Sequence, residues 1–167
     1  MHVRFLPSFP PIFFGLGSVE KIGEALATTN ITKPLIITDR GLVECGVLNH
    51  LTQSISSNID FSIFDDIPEN PTISGVENSL KVYRENGCNG IIALGGGSVL
   101  DSGKALRVIT NQDSPLHLCL KDPSKITADV APYITIPSTA GTGAEITWGG
   151  GIHPLSLIHI SEPTRPY

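Results

Sequence analysis

The chain has 167 residues, 40% of them hydrophobic and 16% charged, with a net charge of −5 at pH 7. This is enough chain for one domain with a sizeable core, and the composition is globular, not disordered. The acidic balance and the lack of a basic run argue against nucleic acid as a partner, and no apolar stretch approaches the ~20 residues of a membrane helix.

The opening MHVRFLPSFPPIFF has one arginine and three prolines. It lacks an apolar run followed by a small-residue cleavage site, so it reads as mature protein. Ile12-Phe13-Phe14 predicts a short strand, paired antiparallel with the opening residues. Gly15-Leu16-Gly17 is only a fragment of the dinucleotide fingerprint, because position 20 is Glu. Ser18 is placed to cap a helix whose apolar face is Val19, Ile22 and Leu26. Pro34 to Thr38 is a β-branched run that ends on Asp39. Val47, Leu48, Leu51 and Ile55 share one helical face, and Phe61 to Phe64 alternates like a strand. Ile73, Val76, Leu80 and Tyr83 form another helical face, with Thr72 to cap it and Gly87 to end it. The run Ile91 to Leu94 meets three glycines and Ser98, and Val99, Gly103 and Leu106 mark the helix behind them. Residues 110–132 read as a loop or small excursion, and Tyr133 to Pro137 is a last strand. Strands alternating with helices predict an α/β fold, a Rossmann-like, mostly parallel sheet with flanking helices. Ligands of such sheets lie beyond the carboxyl ends of the strands, which brings Asp39, Ser98 and Ser138 forward.

The glycine segment, IIALGGGSVLDSGKALR, carries the most chemistry. A strand, a glycine turn and a helix start present backbone N–H groups to an anion, with no side chains to hold a phosphate away. Five residues separate Gly97 from Gly103, and Ala105 follows Lys104, so the segment is not a Walker A loop. Ser98 and Asp101 have a second reading as a capping box, which needs no ligand. An Asp in the first turn repels phosphate, so Asp101 should point beside the anion and accept from an amide or hydroxyl. Asp39 can take the two hydroxyls of an adenosine ribose and repel a 2′-phosphate; otherwise Asp39-Arg40-Gly41 is a solvated turn. Ser138 to Glu145 is a second loop of small residues, able to wrap a polar ligand or to be an ordinary turn.

Cys45, Cys88 and Cys119 are odd in number and widely spaced. They argue against a disulfide framework or zinc knuckle, favour a reducing cytoplasm, and read as buried small hydrophobes. His2, His50, His117, His153 and His159 include no i, i+4 pair, so they indicate no metal site.

Taken together, PPIFFGLGS, LIITDRGL, Asn70-Pro71-Thr72, GGGSVLDSGKAL and PSTAGTGAEIT occur in an order that resembles the iron-containing (group III) alcohol dehydrogenases, over about residues 8–148. The resemblance implies an N-terminal nucleotide-binding domain, residues 1–148, truncated before the family's all-helical second domain. By position, Asp39 would bind the adenosine ribose and favour NAD over NADP. Asn70 would line the cofactor cleft, and Gly96, Gly97 and Ser98 would hold the pyrophosphate. Asp101 would sit near the nicotinamide, and Ser138, Thr139 and Thr142 would line the adenine and nucleotide side. The family's divalent metal, usually iron and sometimes zinc, polarises the alcohol oxygen. Its ligands, one Asp and three His, lie in the helical domain, so no catalytic or metal-binding residue is expected here and the fragment alone should be inactive. The substrate would be a small alcohol or aldehyde, and full-length members are often dimers or larger. Residues 149–167 are expected to be non-native, since LSLIHISEPTR resembles the translation of a transposase-end adapter used to prepare DNA for sequencing. A dehydroquinate-synthase-like lyase and a free-standing nucleotide-binding module are the alternatives.

Overall fold

The structure is a computed structural model and describes the backbone of residues 4–6 and the whole of residues 11–122, 124, 126–147 and 150–152. A two-stranded antiparallel ribbon opens the fold, with β1 (Arg4–Leu6) registered so that Leu6 faces Ile12 of β2 (Ile12–Phe14). A 3-10 turn over Ser18–Lys21 leads into α1 (Ile22–Thr28). The remaining elements are β3 (Pro34–Ile37), α2 (Arg40–Glu44), α3 (Val47–Ser54), β4 (Ser62–Phe64), α4 (Ile73–Glu85), β5 (Gly90–Gly95), α5 (Gly97–Ile109), α6 (Leu116–Lys121) and β6 (Tyr133–Pro137).

The last four strands form one parallel sheet in the order β4-β3-β5-β6. A parallel sheet must be covered on both faces, and period-2 alternation along the two central strands supplies an apolar residue to each side. Leu35, Ile37, Ile91 and Ala93 face a core with Val76 and Tyr83 of α4 and Val99, Leu100, Leu106 and Ile109 of α5. Ile36, Ile92 and Leu94 face the opposite core with Ile22 and Leu26 of α1 and Leu48 and Leu51 of α3. Each fully buried Leu or Ile contributes about 1.5–3 kcal/mol of hydrophobic transfer. The polar Thr38 is tolerated at full burial because its hydroxyl donates to Leu94 O at 2.9 Å. Burial also pushes the Tyr83 and Cys88 protons to higher pKa than usual.

The chain order places β4 on one side of β3 and β5 on the other. The crevice beyond the carboxyl ends of β3 and β5 is therefore the topological switch point of the sheet, where open α/β folds bind ligands. Asp39 and the glycine turn stand at its two sides.

Four local expectations need correction. Ser18 does not cap a helix; Gly17, at φ +77°, precedes the 3-10 turn, and α1 starts only at Ile22. Asp39 does not sit in a solvated turn but starts α2, whose five residues are too few to show a helical period. Residues 110–132 contain α6, hidden because Leu116, Leu118 and Leu120 alternate as a strand would, although Leu116 and Cys119 are the buried pair. Cys45 is exposed at the end of α2, whereas Cys88 and Cys119 are buried. Thr72 does cap α4, its hydroxyl accepting from Gly75 N at 3.1 Å, and Gly87 follows the helix at φ +62°. His50 and His117 are exposed, while His2, His153, His159 and most of 149–167 lie outside the described residues.

Candidate functional site

Gly95 closes β5, and the next two residues turn the chain into α5. The helix N-cap is Gly96, in extended backbone, and no side chain caps it. This overturns the capping-box reading: Ser98 lies inside the helix, and its hydroxyl donates to Glu69 O. The first-turn N–H groups of Gly97, Ser98 and Val99 thus have no intrahelical partner and sit at the positive end of the helix dipole. The first backbone bond of the helix runs from Leu100 N to Gly96 O at 3.1 Å.

The second small-residue loop folds over this turn. Ser138 N donates to Gly95 O at 2.9 Å, continuing the β5–β6 pairing past the strand ends. A Cβ on Gly96 would lie 3.3 Å from Thr139 Oγ1, and one on Gly97 would lie 3.1 Å from Thr142 Cγ2. Side chains at either glycine would fill the space between the loops. Ser138, Thr139 and Thr142 are exposed, and Thr142 Oγ1 accepts from Ala144 N at 3.3 Å. Glu145 ends the loop with Oε2 buried and without a hydrogen-bond partner.

Asn70 reaches the same place indirectly. It is exposed in the turn before α4, next to Glu69, whose carbonyl anchors that turn to Ser98. Asp39 stands across the crevice, half-buried, with Oδ1 accepting from Leu42 N at 3.0 Å. Its carboxylate therefore caps α2, a role the sequence pattern did not distinguish from a ribose contact. The structure brings together Gly96, Gly97, Ser98, Ser138, Thr139 and Thr142, adds Asn70 through Glu69, and sets Asp39 at the neighbouring strand tip.

Asp101 lies one turn further along α5 with both carboxylate oxygens occupied. Lys104 Nζ approaches Oδ1 at 3.0 Å, and Gly151 N donates to Oδ2 at 2.9 Å. The ion pair is largely buried, with 13% of the lysine and 22% of the aspartate side chain exposed. Lys104 also donates to Thr147 Oγ1 at 2.9 Å. On the sheet side Tyr133 Oη donates to Leu100 O at 2.7 Å and takes the space a Cβ on Gly103 would need, 2.6 Å from that oxygen. Burial, with a smaller push from Asp101, holds the Tyr133 proton far above the usual phenol range. Glu69, Lys104, Thr147, Gly151 and Tyr133 were not singled out from sequence. Only the i, i+3 spacing of Asp101 and Lys104 pointed to any of them; the other partners are distant in the chain.

A recess of about 140 Å³ beside the Asp101–Lys104 pair is bordered by Leu116, Cys119 and Ile152. A larger one, about 210 Å³, lies by Arg84 and Gln112 at the carboxyl end of α5, about 20 Å from the glycine turn by helix rise. Neither recess borders the glycine turn, where the uncapped first turn of α5 and the glycines lie. Among the described residues no group of three or more His, Cys, Asp or Glu could hold a metal ion.

The sequence model of the family described as "Iron-containing alcohol dehydrogenase" matches residues 10–156. A choline dehydrogenase of Bacillus subtilis is 35% identical over 136 residues, 80% of this chain and 34% of the relative. A 4-hydroxybutyrate dehydrogenase of Cupriavidus necator is 33% identical over 150 residues, 88% of this chain and 39% of the relative. The crystal structure of sulfoacetaldehyde reductase from Bifidobacterium kashiwanohense in complex with NAD+ superposes with a TM-score of 0.74 at 28% identity, covering 80% of this chain and 35% of that one. The chain thus spans about a third of the length of the curated relatives it matches.

Proposed function

Because the chain belongs to the iron-containing alcohol dehydrogenase family, we propose that it is the N-terminal cofactor-binding part of an NAD-linked alcohol dehydrogenase. The observation that carries this reading is the uncapped start of α5 at Gly96, roofed by Thr139 and Thr142, at the switch point of a parallel sheet. A cradle that a single Cβ would fill fits a pyrophosphate pressed against backbone N–H groups.

The residues divide the dinucleotide between them. Gly96, Gly97 and Ser98 hold the pyrophosphate through main-chain N–H groups. Asp39 keeps one oxygen on Leu42 N and offers the rest of its carboxylate to the adenosine ribose hydroxyls, which favours NAD over NADP. Ser138, Thr139 and Thr142 line the nucleotide side with hydroxyls, and Asn70 borders the cleft. Asp101, paired with Lys104 on α5, would stand toward the nicotinamide end and accept from an amide or hydroxyl of the cofactor. A bound nicotinamide would supply the hydride acceptor for oxidation of an alcohol to an aldehyde or ketone, the hydroxyl proton leaving separately.

The described residues offer no group of three or more His, Cys, Asp or Glu that could hold a metal. We place the family's divalent metal and the alcohol-binding groups in the two thirds of the relatives' length that this chain does not span. That the relatives act on choline, 4-hydroxybutyrate and sulfoacetaldehyde while sharing this region supports the placement. The whole protein would be a cytoplasmic homo-oligomer acting on a small alcohol or aldehyde; no helix among the described residues is long and apolar enough to cross a membrane. Residues 149–167 are proposed to be non-native on the adapter-like LSLIHISEPTR, although the family match runs to residue 156, and sequencing the source DNA across codons 148–167 tests this. The matched relatives are dehydrogenases and reductases, so the lyase alternative gains no support.

Calorimetric titration of the chain with NADH tests the cofactor reading. Saturable binding that ATP does not compete away is expected, and absence of binding by a folded chain would overturn it.

A further inference from the structure

Beside Asp39, the next residue in the chain forms an ion pair that neither the glycine turn nor the ribose contact uses. Arg40 Nη2 lies 2.7 Å from Asp66 Oδ1, with 73% and 61% of the two side chains exposed. The pair spans the carboxyl ends of β3 and β4, whose register sets Ile37 opposite Phe64. Asp66 sits on the anchored backbone of the two. The residue after it, Ile67, is buried, and its N–H donates to Thr38 O at 3.3 Å, which fastens this loop to the exit of β3. Arg40 is the movable partner, a long exposed side chain on the first residue of α2.

An arginine next to the acid that faces the adenosine ribose is the group that would receive a 2′-phosphate, because its planar fork matches a phosphate with two parallel hydrogen bonds. Here that fork is turned toward β4 and its charge is countered. We propose that Asp66 is a specificity-determining positioning residue: by holding Arg40 toward β4 it denies a 2′-phosphorylated dinucleotide its cationic partner and leaves Asp39 as the charge that meets the ribose. The inference rests on the reading of Asp39 as the ribose contact. Discrimination against the phosphorylated cofactor then has two parts, repulsion by Asp39 and withdrawal of Arg40, and the second can be removed without touching the first.

The test is calorimetric titration of the full chain, as wild type, Asp66→Asn, Arg40→Ala, the double variant and Asp66→Glu, with NADH and with NADPH. Asp66→Asn should tighten NADPH about two- to fivefold, the range an exposed ion pair can supply, and leave NADH unchanged. Adding Arg40→Ala should abolish that gain, a coupling that loss of one negative charge alone would not produce. Asp66→Glu should keep the wild-type preference. A gain that persists in the double variant, or no gain at all in a chain that binds NADH, overturns the tether and leaves the cofactor reading standing. Failure of every variant to bind either dinucleotide, with circular dichroism showing them folded, overturns both. Because both side chains are largely exposed, the thermal melts should not move appreciably.

Discussion

Glycine marks both ends of β5 and the turn beyond it, for two different physical reasons. At the amino end a Cβ on Gly90 would lie 2.4 Å from Ile31 Cγ1 and within 2.8 Å of two more carbons of that buried side chain. At the carboxyl end a Cβ on Gly95 would likewise lie 2.5 Å from Val99 Cβ, whereas Cβ atoms on Gly96 and Gly97, just beyond the strand, have Thr139 and Thr142 as their nearest neighbours, at 3.3 and 3.1 Å. Gly90 is glycine because the protein's own core occupies the space. Gly96 and Gly97 face a crevice the protein leaves unfilled, with backbone donors directed into it. The same residue type therefore reports packing within the strand, at Gly90 and Gly95, and a binding cradle in the turn after it, at Gly96 and Gly97. Gly103 belongs with Gly90, since Tyr133 fills its place.

Substituting the packing glycine should have the largest effect. Gly90→Ala should lower stability by about 1–3 kcal/mol through overpacking against Ile31, seen as a lower urea midpoint, with dinucleotide affinity of the folded fraction unchanged. Gly97→Ala should do the reverse. Thr142 yields by a few tenths of an ångström, the urea midpoint stays put, and NADH binding weakens about tenfold, about 1.4 kcal/mol; an unchanged affinity would move Gly97 into the same class as Gly90.

Asp39 tests whether one side chain serves both packing and binding. Asp39→Ala should cost about 1 kcal/mol by removing the α2 cap and also erase the preference for NADH over NADPH. Asp39→Asn should keep the cap and lose only the preference, so thermal melts and titrations of the two variants separate the roles.

The smallest effect concerns the wedge under Gly103. The protons of Cys88, Tyr83 and Tyr133 are all held at higher pKa in the fold, chiefly by burial. The unfolded chain therefore loses them first as pH rises past the ordinary thiol and phenol values of 9.0 and 10.0. Their stabilising contribution is complete below pH 9 and is lost above it. Tyr133→Phe should cost about 1 kcal/mol at neutral pH, since the Leu100 O bond goes, and should make the alkaline decline shallower in urea titrations at successive pH.

Much of this molecule was legible locally. The runs at Pro34–Ile37, Gly90–Gly95 and Tyr133–Pro137 have the period and punctuation of buried strands, and Thr72 lies where a cap belongs. The glycine turn could be recognised because its signal is contiguous: strand, glycines and helix start follow one another without a gap. The helices α2 and α6 were not legible, since five and six residues hold too little periodicity to distinguish from turns.

By itself the sequence determined the alternation of strands and helices, the apolar faces and the positions of the two small-residue loops, because each depends on neighbours within a few residues. Only the tertiary structure decided that Gly96 and not Ser98 starts α5, that Ser98 ties the Asn70 turn to the cradle, and that Thr139 and Thr142 roof it. It also decided that Lys104 and Gly151 occupy Asp101, and that Asp66 holds Arg40. Most of these contacts join side chains or carbonyls far apart in the chain. Their partners are selected by strand order and register, which no local window of residues contains.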